Sequence, residues 1–492
     1  MGYRDINIDI IRSSKLLREL YIYSSSRKIR VYLVGGLIRD LFFNRGEEYY
    51  DFDFVVEGEN VLSFSRTFAD IIGGSFFVLN DKFGKSRIVI RRGGKNVTLD
   101  FNGIEGKNIE EDLSKRDFTI NAIAVELGEF FKHGGVRFID PFLGIDDINA
   151  RIINIVSEDS FKADPLRMLR AFRLSALYEL NITSLTKDLI VRDRKLIKRV
   201  SHERIRDEIF KIISIDKSYK YIKEMDEVGL LAEIIPEIKP AKDLEQNEYH
   251  HLDVWNHTLT SVKNLEQLIN NLSDHFFPYE DIIIDYLNEE PVYGRPKKAL
   301  LKLIALLHDI GKAATRSLDD NGFIHFYNHE IEGERISGNI GKRLKLSNDE
   351  VSIIKNMVRN HLIMEQMDYF QINRKHVERF FNRCKGDGIG TILLSLSDIL
   401  SIKGPRSPKN RDEIAFIIAN RLIKIYMEEI KPVYDNPPLI MGRDLIKEFN
   451  LKPGPIFKKI LDHVRTRQLS GDIATREEAL DEVSKIISKI EY

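Results

Sequence analysis

The chain has a single cysteine, Cys384, so no intramolecular disulfide can form, and this usage fits a reducing cytoplasm. No apolar run approaches the ~20 residues needed to cross a bilayer, so no membrane span is expected. The first residues, MGYRDINIDIIRSSK, carry acids and an early helical pattern where a signal peptide would carry a basic, then apolar, leader. Ile6 breaks the myristoylation pattern that begins with Gly2. Internal repeats and low-complexity segments are missing too. So is an excess of one charge: the formal net charge is −1, and a nucleic acid would have to be held by local basic faces. With 43% hydrophobic and 31% charged residues over 492 positions, the chain has the composition of several globular domains.

What is present is concentrated first in residues 31–57. Val31-Tyr32-Leu33-Val34 has the length and β-rich composition of a buried strand. Gly35-Gly36 breaks it with a turn that tolerates φ > 0 and can cradle phosphate oxygens, and 37–43 reads as a short helix. Asp51-Phe52-Asp53-Phe54-Val55-Val56 then alternates acid with aromatic, which puts both carboxylates on one strand face. Two adjacent carboxylates repel unless a cation lies between them, so the stretch reads as a divalent metal site, Mg²⁺ by preference, beside a phosphate-binding turn. Alone, GG is usually a turn and Asp-x-Asp a solvated edge; in the order strand, GG, helix, strand, the functional reading prevails. The pattern resembles the nucleotidyltransferase superfamily, specifically the bacterial-type (class II) tRNA nucleotidyltransferases and poly(A) polymerases. Gly35, Gly36, Arg39, Asp40, Asp51 and Asp53 match that family's first motif.

Residues 61–72 read as a helix and 75–79, 86–91 and 97–101 as strands, the last ending near Asp100. That acid is either a third metal-site carboxylate or a strand-end group in solvent. Lys115-Arg116-Asp117-Phe118-Thr119-Ile120-Asn121-Ala122 is similar to the family's RRDFTINA segment. The resemblance assigns Arg116 to phosphate or sugar oxygens and Asp117 to a ribose hydroxyl; Lys115, in place of the first Arg, keeps the charge but loses the fork. Residues 140–147, DPFLGIDD, look like the family's head-to-neck linker. In ADPLRMLRAFR (163–173), Asp164 and Arg167 are three apart and are expected on one helix face. A carboxylate accepts from an exocyclic amine and a guanidinium donates to a ring nitrogen, which suits cytosine and adenine and mispairs with uracil and guanine. These two match the family's EDxxR motif, in which amino acids replace a template, while Ala163 stands where Glu is usual. Arg170 and Arg173 join the nucleotide-binding set. The competing reading is a plain i,i+3 ion pair. Glu203, Arg204 and Glu208 resemble the ERxxxE helix that buttresses the template helix. Arg192, Arg194, Lys195, Lys198 and Arg199 form a basic run, either a solvated face or a grip on RNA phosphates.

From Glu248 histidine becomes frequent. His257, His308-Asp309, His325, His329, His361 and Asp398 fall on separate helical segments, each bringing an imidazole or carboxylate suited to a divalent metal. The series resembles the HD phosphohydrolase superfamily in its HDIG form. That resemblance assigns His257, His308, Asp309 and Asp398 to a first metal, and His329 and His361 to a second where one is bound. Imidazole ligands suit Ni²⁺, Mn²⁺ or Co²⁺, and such a site turns bound water into a nucleophile for phosphoesters.

The expected fold class is α+β: a polymerase-β-like nucleotidyltransferase head with a small mixed sheet (1–140), followed by all-α neck (141–245), HD (246–430) and tail (431–492) domains. The expected activity is template-independent addition of C and A, or A alone, to the 3′ end of tRNA from CTP and ATP. A poly(A) polymerase is the runner-up, and a metal-dependent phosphohydrolase with a non-catalytic, RNA-binding head is the reading from another class. CCA-adding members carry a base-switching loop between the acidic strands and the RRD segment. Here 101–115 is short and acidic, which leaves open an enzyme restricted to A or to CC.

Overall fold

A computed structural model describes residues 8–43, 51–58, 60–81, 84–132, 135–432 and 437–490. The chain divides into two compact units, Met1–Pro236 and Glu237–Tyr492.

The first unit is built on six strands: β1 (Arg30–Val34), β2 (Asp51–Glu57), β3 (Ser75–Asn80), β4 (Lys85–Arg92), β5 (Lys95–Gly103) and β6 (Ala124–Glu126). Their order is β3-β4-β5-β2-β1-β6. β2 and β5 run parallel, and the other neighbours are antiparallel. Parallel pairing sets Asp53 opposite Asp100. Asp100 is therefore mid-strand and not terminal, because Asn102 and Gly103 still pair with Val55 and Val56.

Alternation along β2 separates chemistry from core. Phe54 stacks on Phe101 at 5.1 Å, and Phe64 and Phe68 of the Val61–Ile72 helix close on Phe101 from the edge. All four rings are fully buried, each contributing roughly 1.5–3 kcal/mol by leaving water. Asn60 caps that helix through the Ser63 N–H, and Gly73 ends it in the left-handed region. On the opposite face Tyr32, Val34 and Val55 form an apolar floor with Ile109, Leu113, Ala122 and Ala124. Asp51 and Asp53 share this second face, at its margin. The rest of the unit is helical, with Arg167–Tyr178 packed on His202–Ile213.

In the second unit the Gly388–Ile399 helix is buried at every position, as a helix apolar all round must be. Val254–Asn270, Lys297–Leu307 and Asn348–Asn360 pack around it. A fully buried Lys302 is matched by Glu266 at 2.8 Å, which removes the cost of a lone buried charge. The last three helices, Gly442–Phe449, Pro455–Leu469 and Arg476–Ile490, surround a separate small core of Leu445, Ile460, Val464, Ala479 and Val483. Among the described residues no helix is long and apolar enough to cross a membrane.

Candidate active site and metal centre

In the first unit the site begins where β1 ends. Gly35 has φ 77°, a left-handed conformation open to glycine without a Cβ clash. A Cβ here would lie 3.2 Å from Arg116 Nη1 and 3.5 Å from Asp53 Oδ2. Glycine thus lets three separate sequence segments meet at one point. Asp53 reaches solvent but is crowded by protein on most sides. This burial, with the Asp100 carboxylate, raises its carboxyl above the ordinary range; Arg116 opposes the shift and Asp51 adds to it. Asp100 is itself held by Arg87 at 2.7 and 2.8 Å. Among the described residues, that leaves Asp51 and Asp53 as the acids of this group without a fixed guanidinium fork. Their all-oxygen chemistry fits a hard cation.

Beside these acids lies a cavity of about 300 Å³ lined by Arg116, Asp117, Asp164, Arg167 and Arg170 among others. Asp117 is buried, pairs with Arg170 at 2.9 Å and accepts from the Phe118 N–H and Asn121 Nδ2. Burial raises its carboxyl, but Arg170, Asn121 and the Phe118 N–H outweigh that and hold it below the usual range. Arg167 donates to Ser160 Oγ at 2.6 Å and to the carbonyls of Lys115 and Arg116. The expected shared helix face of Asp164 and Arg167 is not what brings them together. Asp164 precedes Pro165, which disfavours helical backbone at that position, and it is extended at φ −143°, ψ 100°. The helix starts at Arg167. Asp164 accepts from the Leu166 N–H and pairs with Arg204 at 3.0 Å, so an i,i+3 pair with Arg167 does not form either.

Other sequence-flagged residues stand behind the cavity wall. Arg39 is buried and donates to Asn121 Oδ1 at 2.6 Å, Asp40 Oδ1 at 2.9 Å and the Tyr178 hydroxyl at 2.7 Å, while that hydroxyl donates to Asp40. The structure thus puts Arg39 and Asp40 in a polar tie between helices, away from the cavity lining. Arg173 pairs with Glu208 at 2.7 Å; with Arg204 on Asp164, this braces the Arg167–Tyr178 helix from His202–Ile213. Glu203 is exposed and makes no such contact among the described residues. In the basic run, Arg192 is taken by Asp193 and Lys198 by Glu233, both at 2.7 Å. Residues 101–115 form the end of β5 and a short helix, Ile109–Ser114. Asp112 holds this connection by accepting from the Glu105 N–H and pairing with Arg116.

In the second unit six side chains from five helical segments converge in the interior. His257 Nε2 lies 2.8 Å from Asp398 Oδ1 and 3.4 Å from Asp309 Oδ2, and His308 Nε2 is 3.3 Å from Asp309 Oδ2. Asp309 Oδ1 faces the other way, 3.4 Å from His329 Nε2 and 3.7 Å from His361 Nε2. The His257–His308–Asp309–Asp398 and Asp309–His329–His361 groups each gather their ligand atoms within 4.8 Å. Three imidazoles are fixed in one tautomer by the carbonyl three residues earlier: Nδ1 of His308 to Ala305, of His329 to Phe326 and of His361 to Val358, at 2.7–2.8 Å. Carbonyls only accept, so Nδ1 carries a proton in all three; in His329 and His361, where the imidazolium form is disfavoured, Nε2 turns a lone pair inward, whereas His308 Nε2 faces the Asp309 carboxylate. His329 and His361 then oppose two lone pairs at 3.3 Å, an arrangement that needs a cation between them. Burial depresses the imidazolium form of both, and His361 reaches about 3. For His308, burial is overcome by Asp309 and Asp398, and it is pushed up to about 10.

Several residues around this cluster were not flagged by sequence. Lys312 Nζ stands 2.7 Å from Asp309 Oδ2 and 2.8 Å from Gln246 Oε1. His250 lies edge-on to His257 at 5.1 Å, its Nδ1 on Asn247. Glu365, paired with Arg411 at 2.7 Å, is raised by burial and by Asp398. The only signal for Lys312 was its place three residues after Asp309. His325 stays outside the cluster, on Asp319 and stacked on Tyr327.

An open pair of strand carboxylates beside a phosphate-compatible glycine turn is the apparatus of a nucleotidyltransferase, and the buried His/Asp cluster is that of an HD domain. Family models agree: the poly A polymerase head domain matches 31–154, the probable RNA and SrmB-binding site of polymerase A 179–242, the HD domain 254–402, and a putative tRNA nucleotidyltransferase domain 2 residues 339–483. The chain is similar to the A-adding tRNA nucleotidyltransferase of Deinococcus radiodurans, 29% identical over 91% of this chain and 93% of that one. It is 28% identical to the CC-adding enzyme of Thermus thermophilus over 91% of each. Its fold matches the Thermotoga maritima CCA-adding enzyme complexed with tRNA at TM-score 0.64 and 23% identity, covering 98% and 99% of the two chains. The chain belongs to the bacterial-type tRNA nucleotidyltransferase family with an HD domain, and it is a nucleotidyltransferase. Both domain types imply dependence on divalent metal.

Proposed function

We propose that this enzyme adds C and A, or one of them alone, to the 3′ end of tRNA from CTP and ATP. The observation that carries this is the convergence of Gly35, Asp53 and Arg116 beside the cavity containing Asp164 and Arg167. Asp51 and Asp53 would hold Mg²⁺, which when bound offsets triphosphate charge and favours ionisation of the RNA 3′-hydroxyl. Arg116 and Arg170 supply fixed positive charge along the cavity for phosphate or sugar oxygens, and Asp117 orients Arg170. Asp164 accepts from the exocyclic amine and Arg167 donates to the ring nitrogen of cytosine or adenine. Arg204 and the Lys115 and Arg116 carbonyls hold these two reading groups in place before the base arrives.

Relatives restricted to A or to CC span nearly the whole chain. With the short, hydrogen-bonded 101–115 connection, they support an enzyme of partial specificity. In the second unit His257, His308, Asp309 and Asp398, joined by His329 and His361, would hold divalent metal of the Ni²⁺, Mn²⁺ or Co²⁺ type, which when bound would supply an activated water for phosphoester hydrolysis. We place the enzyme in the cytoplasm, where its tRNA substrate and its lone buried thiol, Cys384, both fit. The test is incubation with tRNAs ending before CCA, after C and after CC, with CTP and ATP offered separately and pyrophosphate measured. Addition at one or more of these ends is expected. Long A tails on unrelated RNA would establish a poly(A) polymerase, and pyrophosphate release from none would leave only the hydrolase.

A further inference from the structure

The second unit carries a basic groove that the chemistry above does not use. It has a volume of about 630 Å³ and is lined by five cations, Lys342, Lys355, Arg359, Arg383 and Lys385, against one carboxylate, Glu334. Its floor is one face of the Asn348–Asn360 helix: residues 348, 351, 352, 355, 356, 359 and 360 recur every three or four positions. That face runs for roughly 18 Å at about 1.5 Å per residue, the reach of a few nucleotides. All the floor residues except Val351 are polar or charged, and side-chain amides supply donors between the cations. Glu334 occupies only Lys355 and Arg359, at 3.2 and 3.7 Å. Lys342 and Lys385 are exposed and form no ion pair among the described residues. Arg383, its Nε on Asn360, also lines an adjoining cavity of about 280 Å³ with Arg379 and His376, so the positive surface continues past it. In a chain of net charge −1, such a concentration of unmatched cations in a concave, amide-lined strip is a polyanion site.

We infer that this groove binds the ribose–phosphate backbone of the RNA substrate, as a contact area separate from residues 179–242 and from the cavity of the first unit. The inference rests on the reading of tRNA as substrate. Its test is fluorescence anisotropy of labelled tRNA lacking its terminal nucleotides, over a series of salt concentrations, with wild type and Lys342→Glu/Lys385→Glu. The variant should bind about tenfold or more weakly at low salt, and the slope of log Kd against log salt should fall by about 2, one phosphate contact per lysine. KM for the nucleotide should not change. Lys342→Gln/Lys385→Gln, expected to fall between, guards against misfolding caused by the reversed charges. Equal Kd and slope in all three proteins would overturn the proposal, as would lost heparin binding with tRNA binding intact. If wild type extends no tRNA, the assigned function fails, while the anisotropy series still decides the groove.

Discussion

The two candidate metal sites of this chain are built on opposite plans. The head site stands on strand alternation: Asp51 and Asp53 sit two residues apart in sequence, at the open margin of a sheet, and offer only oxygen. The HD site draws on residues from His257 to Asp398, is closed from solvent, and fixes its imidazoles by the chain's own carbonyls. An open oxygen pair suits a cation that comes and goes with a triphosphate. A buried imidazole cage suits one that stays. The difference also separates hard from borderline metals within one polypeptide.

Four perturbations bear on this contrast. The largest effect is expected from Asp51→Ala or Asp53→Ala, which should lower nucleotide addition on the order of 10³-fold or more. Melting temperature and the metal content of the HD site should hardly change; near-normal addition would remove the head assignment. Next, Asp309→Ala should remove both HD ions at once, because its two oxygens face the two histidine groups, whereas His329→Ala should remove about one. Mass spectrometry of bound metal, with phosphoesterase and addition assays on the same preparation, separates the two outcomes, and addition should survive both changes. Third, Asp164→Ala should relax discrimination against UTP and GTP by about 10- to 100-fold, the value of one buried mispaired hydrogen bond. If the excluded bases stay excluded, base selection lies elsewhere. The smallest effect, taken over a single pH unit, is in pH. His308 is raised in the metal-free fold to about 10, so its proton stabilises that fold fully below pH ~6.5 and this stabilisation is lost as pH rises through the folded value. Metal must displace the same proton. HD-site affinity should therefore climb by up to about tenfold per pH unit in that window, while Mg²⁺ dependence of addition should not show this climb. Competition with a metallochromic indicator reads the slope directly.

The head was legible because its chemistry is local. Strand, glycine turn, helix and acidic strand follow one another in the chain, and period-two alternation alone put both acids on one face. The register of β2 with β5 is not legible, since parallel pairing joins residues 47 apart, Asp53 with Asp100, and the sequence alone leaves Asp100 at a strand end. The i,i+3 spacing of Asp164 and Arg167 suggests a shared helix face, whereas Pro165 disfavours helical backbone at Asp164 and leaves it extended. At the HD site the identity of each ligand was readable from its residue type and order. Lys312, His250 and the Glu365–Arg411 pair were not, because such side chains carry no mark in the sequence of what they face. The same holds for the groove of the second unit, whose cations come from three helical segments and form no run in the sequence.

The hydrogen bonds at the two ends of the Arg167–Tyr178 helix have a mechanical consequence. Arg167 is fastened to the carbonyls of Lys115 and Arg116, and Tyr178 to Arg39 and Asp40 beside the glycine turn. The helix thus acts as a strut that couples the position of Arg167 to that of the segment following Gly35, so loosening either end should be felt at the other.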